Sequence, residues 1–160
     1  MLKLTKKSDY GLIALRHLAV GPRKSSASTK EIAEAYKIPV QLLAKVLQSL
    51  SRAGFVVSEA GAAGGYKLSR DPRTITALEV IRAIDGPVLL ASCFHDDASC
   101  HQHEVCTVKE PLRKVHEGIL RLLDGISIFD LSTDGFELPH IGPPLWQIRA
   151  AVPPPVSTEV

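Results

Sequence analysis

The sequence predicts a mainly α fold with a small β-wing: a winged helix-turn-helix domain followed by a long dimerisation helix. Three observations carry that expectation. Two short amphipathic helices meet at Ile38-Pro39 and are followed at once by two strand-like runs around a glycine-rich tip. Residues 1–86 hold 14 Lys and Arg against 7 Asp and Glu, whereas residues 87–160 hold 5 against 10. A basic front half on an acidic rear half points to a polyanionic partner for the front. Further on, Leu112, Val115, Ile119 and Leu122 recur at steps of 3, 4 and 3, the spacing of a two-helix seam.

Taken in order, Thr5 caps a helix over Lys6–Val20 with Tyr10, Leu12, Ile13, Leu15 and Leu18 as its apolar stripe, and Gly21-Pro22 stops it. Ser28 and Glu31 form an S-x-x-E capping box for a short helix ending at Tyr36. Ile38 precedes a proline and leaves the helical region, while Pro39 suits the first turn of a third helix reaching about residue 53, before Gly54. In that helix Leu43, Val46, Leu47 and Leu50 make a core stripe, and Gln41, Lys45, Gln48, Ser49 and Arg52 fall on the other side. As the second helix of a helix-turn-helix, its polar side is the expected reading face.

Residues 55–58 and 66–69 read as the strands of a wing, and Gly61-Ala62-Ala63-Gly64-Gly65 as its tip. Glycines there permit close backbone approach to a phosphate. Thr76 and Glu79 cap a fourth helix over residues 77–84, stopped by Gly86-Pro87. Thr107 and Glu110 are expected to cap the seam-bearing helix, which reaches about residue 123 before Gly125, and Ile126, Ile128, Phe129 and Leu131 suggest one more short apolar helix. The organisation expected is a DNA-binding domain over 1–86, a cysteine-bearing loop over 87–106, the dimerisation helix and short following helix over 107–135, and a flexible tail over 136–160 with 6 of the 11 prolines.

Several functions are excluded early. The chain has 160 residues, 45% apolar and 22% charged, and no apolar run nears the ~18–20 residues of a membrane span. Lys3, Lys6 and Lys7 are followed by a segment broken by Ser8, Asp9, Arg16 and His17, so no signal peptide is expected and the location expected is cytoplasmic. Aromatic content of 5% is low for a platform that stacks single strands. No phosphate-cradling glycine loop, Ser/His/Asp set or paired-carboxylate site argues for an enzyme, and no small-molecule substrate is expected.

All three cysteines, Cys93, Cys100 and Cys106, lie within 14 residues, together with His95, His101, His103, Asp96, Asp97 and Glu104. A cytosolic disulfide is rare and would leave an odd thiol. Zinc prefers Cys pairs two to four residues apart, though a Cys3His set satisfies it. Thiolates are the standard ligands of iron–sulfur clusters, and three of them need a fourth ligand from elsewhere. The competing readings are zinc and a metal-free redox thiol set.

These residues together resemble the IscR/NsrR-type winged-helix iron–sulfur regulators of bacteria over about residues 1–135. The likeness rests on Leu4-Thr5-Lys6 with Asp9-Tyr10, on Glu31-Ile32-Ala33, and on Leu47, Leu50 and Ala53-Gly54. It continues through Gly61, Gly64-Gly65-Tyr66 and Leu68, Ile75-Thr76 with Glu79-Val80-Ile81 and Ala83, and the three cysteines. The resemblance implies a homodimeric transcription factor with a cluster on three cysteines per subunit. The family's cluster-assembly regulator has a His three residues after its last Cys; here that position is Lys109. Its nitric-oxide sensor uses an N-terminal Asp from the other subunit, and Asp9 matches, so Asp9 is the candidate fourth ligand and [4Fe-4S] is favoured over [2Fe-2S]. A first-turn Asp also suits the helix dipole with no metal present. The family's wing commonly carries Arg, whereas here it has Glu59, Ala60, Ala62 and Ala63.

The expected function is a homodimeric regulator that binds double-stranded promoter DNA under control of an iron–sulfur cluster sensing nitric oxide, redox state or iron and cluster supply. Gln41, Lys45 and Gln48 would read bases; Lys6, Lys7, Ser49, Arg52, Arg73, Lys67, Arg70 and the Gly64-Gly65 backbone would meet the DNA around them. The alternatives are a metal-free thiol sensor on the same fold and a metal-binding adaptor that docks a protein.

Overall fold

Thr5 opens the first helix through its hydroxyl, which accepts from the Ser8 N–H at 3.3 Å. The computed structural model describes residues 4–21, 26–60, 64–94, 102 and 104–137. In it α1 spans Lys6–Val20 and buries Ser8, Gly11, Ala14, Leu15 and Leu18. Tyr10, Leu12 and Ile13 flank that face half-buried. The smallest residues of the face sit where helices approach most closely: a Cβ on Gly11 would lie 2.4 Å from the Ile84 Cδ1.

The Ser28 hydroxyl accepts from the Glu31 N–H at 3.1 Å and starts α2, Thr29–Tyr36. Lys37 takes the left-handed conformation, φ 55°, and turns the chain into Pro39 and α3, Val40–Arg52. The stripe Leu43, Val46, Leu47 and Leu50 is buried as its spacing predicts. Fully burying such a side chain contributes roughly 1.5–3 kcal/mol, so this stripe fixes which side of α3 is left for other work.

β1 (Val56–Glu59) and β2 (Gly65–Leu68) pair antiparallel, with Val56 opposite Leu68, Val57 opposite Lys67, Ser58 opposite Tyr66 and Glu59 opposite Gly65. Ala27 extends this ribbon by exchanging two backbone hydrogen bonds with Tyr66, at 3.0 and 2.9 Å. Gly65 is required by that approach: a Cβ there would fall 2.6 Å from the Ala27 carbonyl oxygen. Asp71 caps a single turn, Pro72–Thr74, and buried Ile75 leads into α4, Ala77–Asp85. The Thr76/Glu79 capping box forms in both directions, at 3.1 and 3.0 Å.

The capping box expected at Thr107 does not form. α5 begins two residues later and spans Lys109–Asp124, with Val108 at its N-cap and no side-chain cap bond. Glu110 is drawn instead to Arg113, which also pairs with Glu117, and Glu117 in turn pairs with Arg121. One side of α5 is thus an ion-pair ladder, as opposite charges three and four residues apart favour.

After α5 the chain returns to the first domain. Ser127 and Asp130 form a reciprocal capping box for α6, Ile128–Ser132. The Ile126 carbonyl accepts from Ala77 N–H at 2.8 Å, and Ile128 N–H donates to the Ile75 carbonyl at 2.9 Å. Arg16 of α1 donates to the Leu131 carbonyl at 2.9 Å. Ile128 is 0% exposed and belongs to the same core as Leu15, Leu43, Leu47 and Val80. The expected Pro-rich tail lies, from residue 138 on, outside the described residues.

Two outcomes follow from this closure. Ile128→Ala should destabilise the fold by about 2–5 kcal/mol through the cavity it leaves, read as a lowered urea midpoint. The Asp130 carboxyl is held below its ordinary range by hydrogen bonds from Ser127, and that of Glu79 by the Thr76 N–H and Arg70. A depressed carboxyl stabilises the folded state above its unfolded pKa and loses that contribution as pH falls through the folded one. Unfolding free energy should therefore decline on acidification below about pH 4, and less steeply in Asp130→Asn than in the wild type.

Candidate functional site

Burial of one stripe of α3 leaves Gln41, Lys45, Gln48 and Arg52 exposed, with Ser49 half-buried among them. The Ser49 hydroxyl donates to the Lys45 carbonyl at 3.1 Å. Arg52 donates through Nε to the Gln48 carbonyl and through Nη2 to Ser49 Oγ, both at 3.4 Å, and so lies along the helix edge. Lys6 and Lys7 are exposed on the first turn of α1. Among the described residues none of Lys6, Lys7, Lys45 and Arg52 forms an ion pair.

The cations of the wing and its exit are in the opposite condition. Lys67 pairs with Glu59 across the ribbon. Arg70 reaches both oxygens of Glu79, at 3.1 and 3.2 Å, and lies over the Phe55 ring. Arg73 stands 3.9 Å above the centre of the Phe129 ring and 3.9 Å from Asp71. Gly64 is exposed; the rest of the tip, residues 61–63, lies outside the described residues. A notch of about 340 Å³ opens between α3 and the wing, lined by Gln48, Ser51, Arg52, Ser58 and Tyr66. Ser51 and Ser58 had no signal in the sequence beyond their places on a helix and a strand, and Tyr66 stood only as part of the Gly64-Gly65-Tyr66 motif.

Cys93 sits in the single turn Ser92–Phe94, and Cys106 just ahead of α5; both are half-buried free thiols. Cys100, His95, His101 and His103 lie outside the described residues. The Phe94 ring stacks on His116 of α5, 5.1 Å between centres and 22° between planes. The turn that bears Cys93 is thereby fixed to α5. Asp9 is exposed on α1. Among the described residues no three His, Cys, Asp or Glu side chains gather into a metal-holding group.

A second tie runs from the root of the cysteine segment to α1. The Asp85 carboxylate, at the end of α4, accepts from the Thr5 hydroxyl at 2.7 Å and from the Ser8 hydroxyl at 2.6 Å. Ser8 is 0% exposed. Beside this tie lies a cavity of about 460 Å³, walled by Leu4, Ile81, Pro87, Leu89, Ile119 and Leu122 among others. α5 buries no residue in this chain: Leu112 and Val115 are 36% and 53% exposed, and Ile119 and Leu122 half-buried.

A helix-turn-helix with a two-stranded wing, a polar reading helix and an unpaired basic edge defines a winged-helix transcriptional regulator. The chain belongs to the Rrf2 family, described as iron-dependent transcriptional regulators, whose profile matches residues 4–134. Solved structures agree. CymR, the global cysteine regulator of B. subtilis, is 30% identical with a TM-score of 0.69, over 84% of this chain and 100% of that one. IscR of T. potens is 32% identical, TM-score 0.62, over 81% and 85%. CymR of Staphylococcus aureus is 26% identical, TM-score 0.65, over 80% and 96%. No helix among the described residues is long and apolar enough to cross a membrane.

Proposed function

We propose that the protein is a homodimeric regulator whose affinity for promoter duplex is set by an iron–sulfur cluster on Cys93, Cys100 and Cys106, with Asp9 of the other subunit as fourth ligand and [4Fe-4S] as the cluster type. The observation that carries this reading is the pair of free, half-buried thiols at Cys93 and Cys106. They bracket the third cysteine in a segment strung between the DNA-binding domain and α5. The donor chemistry fits: three thiolates and a carboxylate suit iron and inorganic sulfide. A cluster held there would supply reactivity towards nitric oxide and oxidants and a dependence on iron and sulfide supply. The likeness to IscR supports the same reading.

The chain's own residues do the rest. Gln41, Lys45 and Gln48 are placed to meet base edges in the major groove, and Lys6, Lys7, Ser49 and Arg52 the phosphates beside it. The Gly64-Gly65 backbone approaches the duplex at the wing. Leu112, Val115, Ile119 and Leu122 close on their symmetry mates, because an amphipathic helix with no buried residue needs a partner. Two reading helices then address half-sites about 34–36 Å apart. Phe94 on His116 passes the state of the thiol segment to α5, and Asp85 on Thr5 and Ser8 passes it to α1. Operator affinity changes because the duplex binds the two resulting arrangements unequally.

The same thiols support a second reading, a metal-free redox sensor, favoured by the free state of Cys93 and Cys106. Anaerobic purification separates the two. The cluster reading expects visible absorbance with iron and sulfide in stoichiometric amounts, lost in Cys100→Ala while helical content persists. Asp9→Ala should weaken cluster retention more than His95→Ala, and cluster-free protein should differ from holoprotein in operator titrations. Colourless, iron-free protein that resists reconstitution leaves the thiol sensor. Val115→Glu should convert the dimer to monomer in sedimentation, since it puts a charge in the centre of the seam.

A further inference from the structure

Side chains alternate between the two faces of a β-ribbon. The register places Val56, Ser58, Tyr66 and Leu68 on one face and Val57, Glu59, Gly65 and Lys67 on the other. Val56 is buried, Tyr66 and Leu68 pack half-buried against the core, and Val57 is 41% exposed, so the first face turns towards the body of the domain at its root; nearer the tip Ser58 is exposed and Glu59 half-buried. Ser58 and Tyr66 share that first, inner face with the notch they line beside the end of α3.

The lining of that notch is all donor-capable and includes no carboxylate: the Gln48 amide, the Ser51, Ser58 and Tyr66 hydroxyls, and the Arg52 guanidinium. A compact anion with several acceptor oxygens suits this set, since charge-assisted hydrogen bonds from a guanidinium are its strong ones. On the outer face Lys67 already has its counter-charge. Glu59 pairs with it, and the Glu59 carboxyl is held below its ordinary range by Lys67 and by Ser26. A phosphate arriving there meets a neutral pair and releases no counterion.

We propose that the wing grips the duplex by its inner face, seating one backbone phosphate in the notch between Arg52, Ser58 and Tyr66, while Lys67, neutralised by Glu59, makes no phosphate contact. This rests on the DNA-binding reading above and not on the cluster. Each phosphate contact by a cation contributes about 0.9 to the slope of log affinity against log salt, and that slope tests the arrangement.

A duplex recovered by in vitro selection on the wild-type protein serves as probe. Arg52→Gln should flatten the slope by about 0.9, and Arg52→Lys should restore it. The paired change Glu59→Gln with Lys67→Gln should leave slope and affinity unchanged. Tyr66→Phe should weaken binding by about tenfold, the effect of one hydrogen bond to a charged group, at unchanged slope and unfolding temperature. An unflattened slope in Arg52→Gln, full affinity in Tyr66→Phe, or a flattened slope in the paired variant overturns the proposal. A wild-type protein with no salt-dependent duplex binding would instead overturn the DNA-binding reading itself.

Discussion

The packing of α1 is the constraint on which the other elements depend. It touches α3, α4, α6 and β2, and it does so because its inward face is built from Gly11, Ala14, Leu15 and Leu18 rather than from uniformly large residues. Gly11 admits Ile84 and Val80 of α4 to close range, and Ala14, Leu15 and Leu18 are buried in the common core. Protein interiors tolerate neither voids nor overlap, so the position of the reading helix is fixed through α1. α6 completes the arrangement from the far end of the chain, with Ile128 in the common core and Arg16 holding the Leu131 carbonyl. The chain that leaves α5 is thus tied back to the winged-helix domain from residue 126 on, through the Ile126, Ile128 and Leu131 backbone.

Asp85 gives that anchoring an electrostatic sense. A carboxylate in the last turn of α4 opposes its own helix dipole. Across the gap it faces the N-terminus of α1, where the dipole favours it and two hydroxyls donate to it. Thr5 serves twice, accepting the Ser8 N–H as a cap and donating its proton to Asp85. The segment that begins at Gly86 and carries the cysteines is thereby rooted beside the turn that bears Lys6, Lys7 and Asp9.

What the sequence made legible was local. Caps at Thr5 and Thr76, the stripe Leu43–Val46–Leu47–Leu50, and the glycines after α1, α3 and α4 each act over one or two turns and stand where their pattern put them, while of the box expected at Ser28 only the half made by its hydroxyl forms. The box at Thr107 failed because Glu110 had a stronger rival in Arg113, a competition invisible to a four-residue motif. The role of α6 was illegible for another reason: its apolar residues announce burial but not what they bury against, and the answer lies more than a hundred residues upstream. Arg70 and Arg73 are expected at the DNA, and the fold gives them partners that spacing does not announce, Glu79 for the first and Asp71 and the Phe129 ring for the second. Ser58 carried no signal and Tyr66 only its place in the Gly64-Gly65-Tyr66 motif, since a notch belongs to two elements at once.

Net charge is therefore a poor map of where a polyanion would settle. The front half of the chain has a formal excess of basic residues, yet Lys30, Lys67, Arg70 and Arg73 are each matched by an acid within the fold. Subtracting them leaves, among the described residues of this half, Lys6 and Lys7 at the start of α1, Lys45 and Arg52 on the exposed edge of α3, and the scattered Arg16, Lys37 and Arg82 without an ion pair. On the proposed function this has a mechanical corollary. The turn that offers Lys6 and Lys7 to phosphate also bears Asp9, two residues further on, and is the turn that Asp85 holds. A change in what Asp9 binds would act on the same turn that contacts the duplex, so signal and affinity need no long pathway between them.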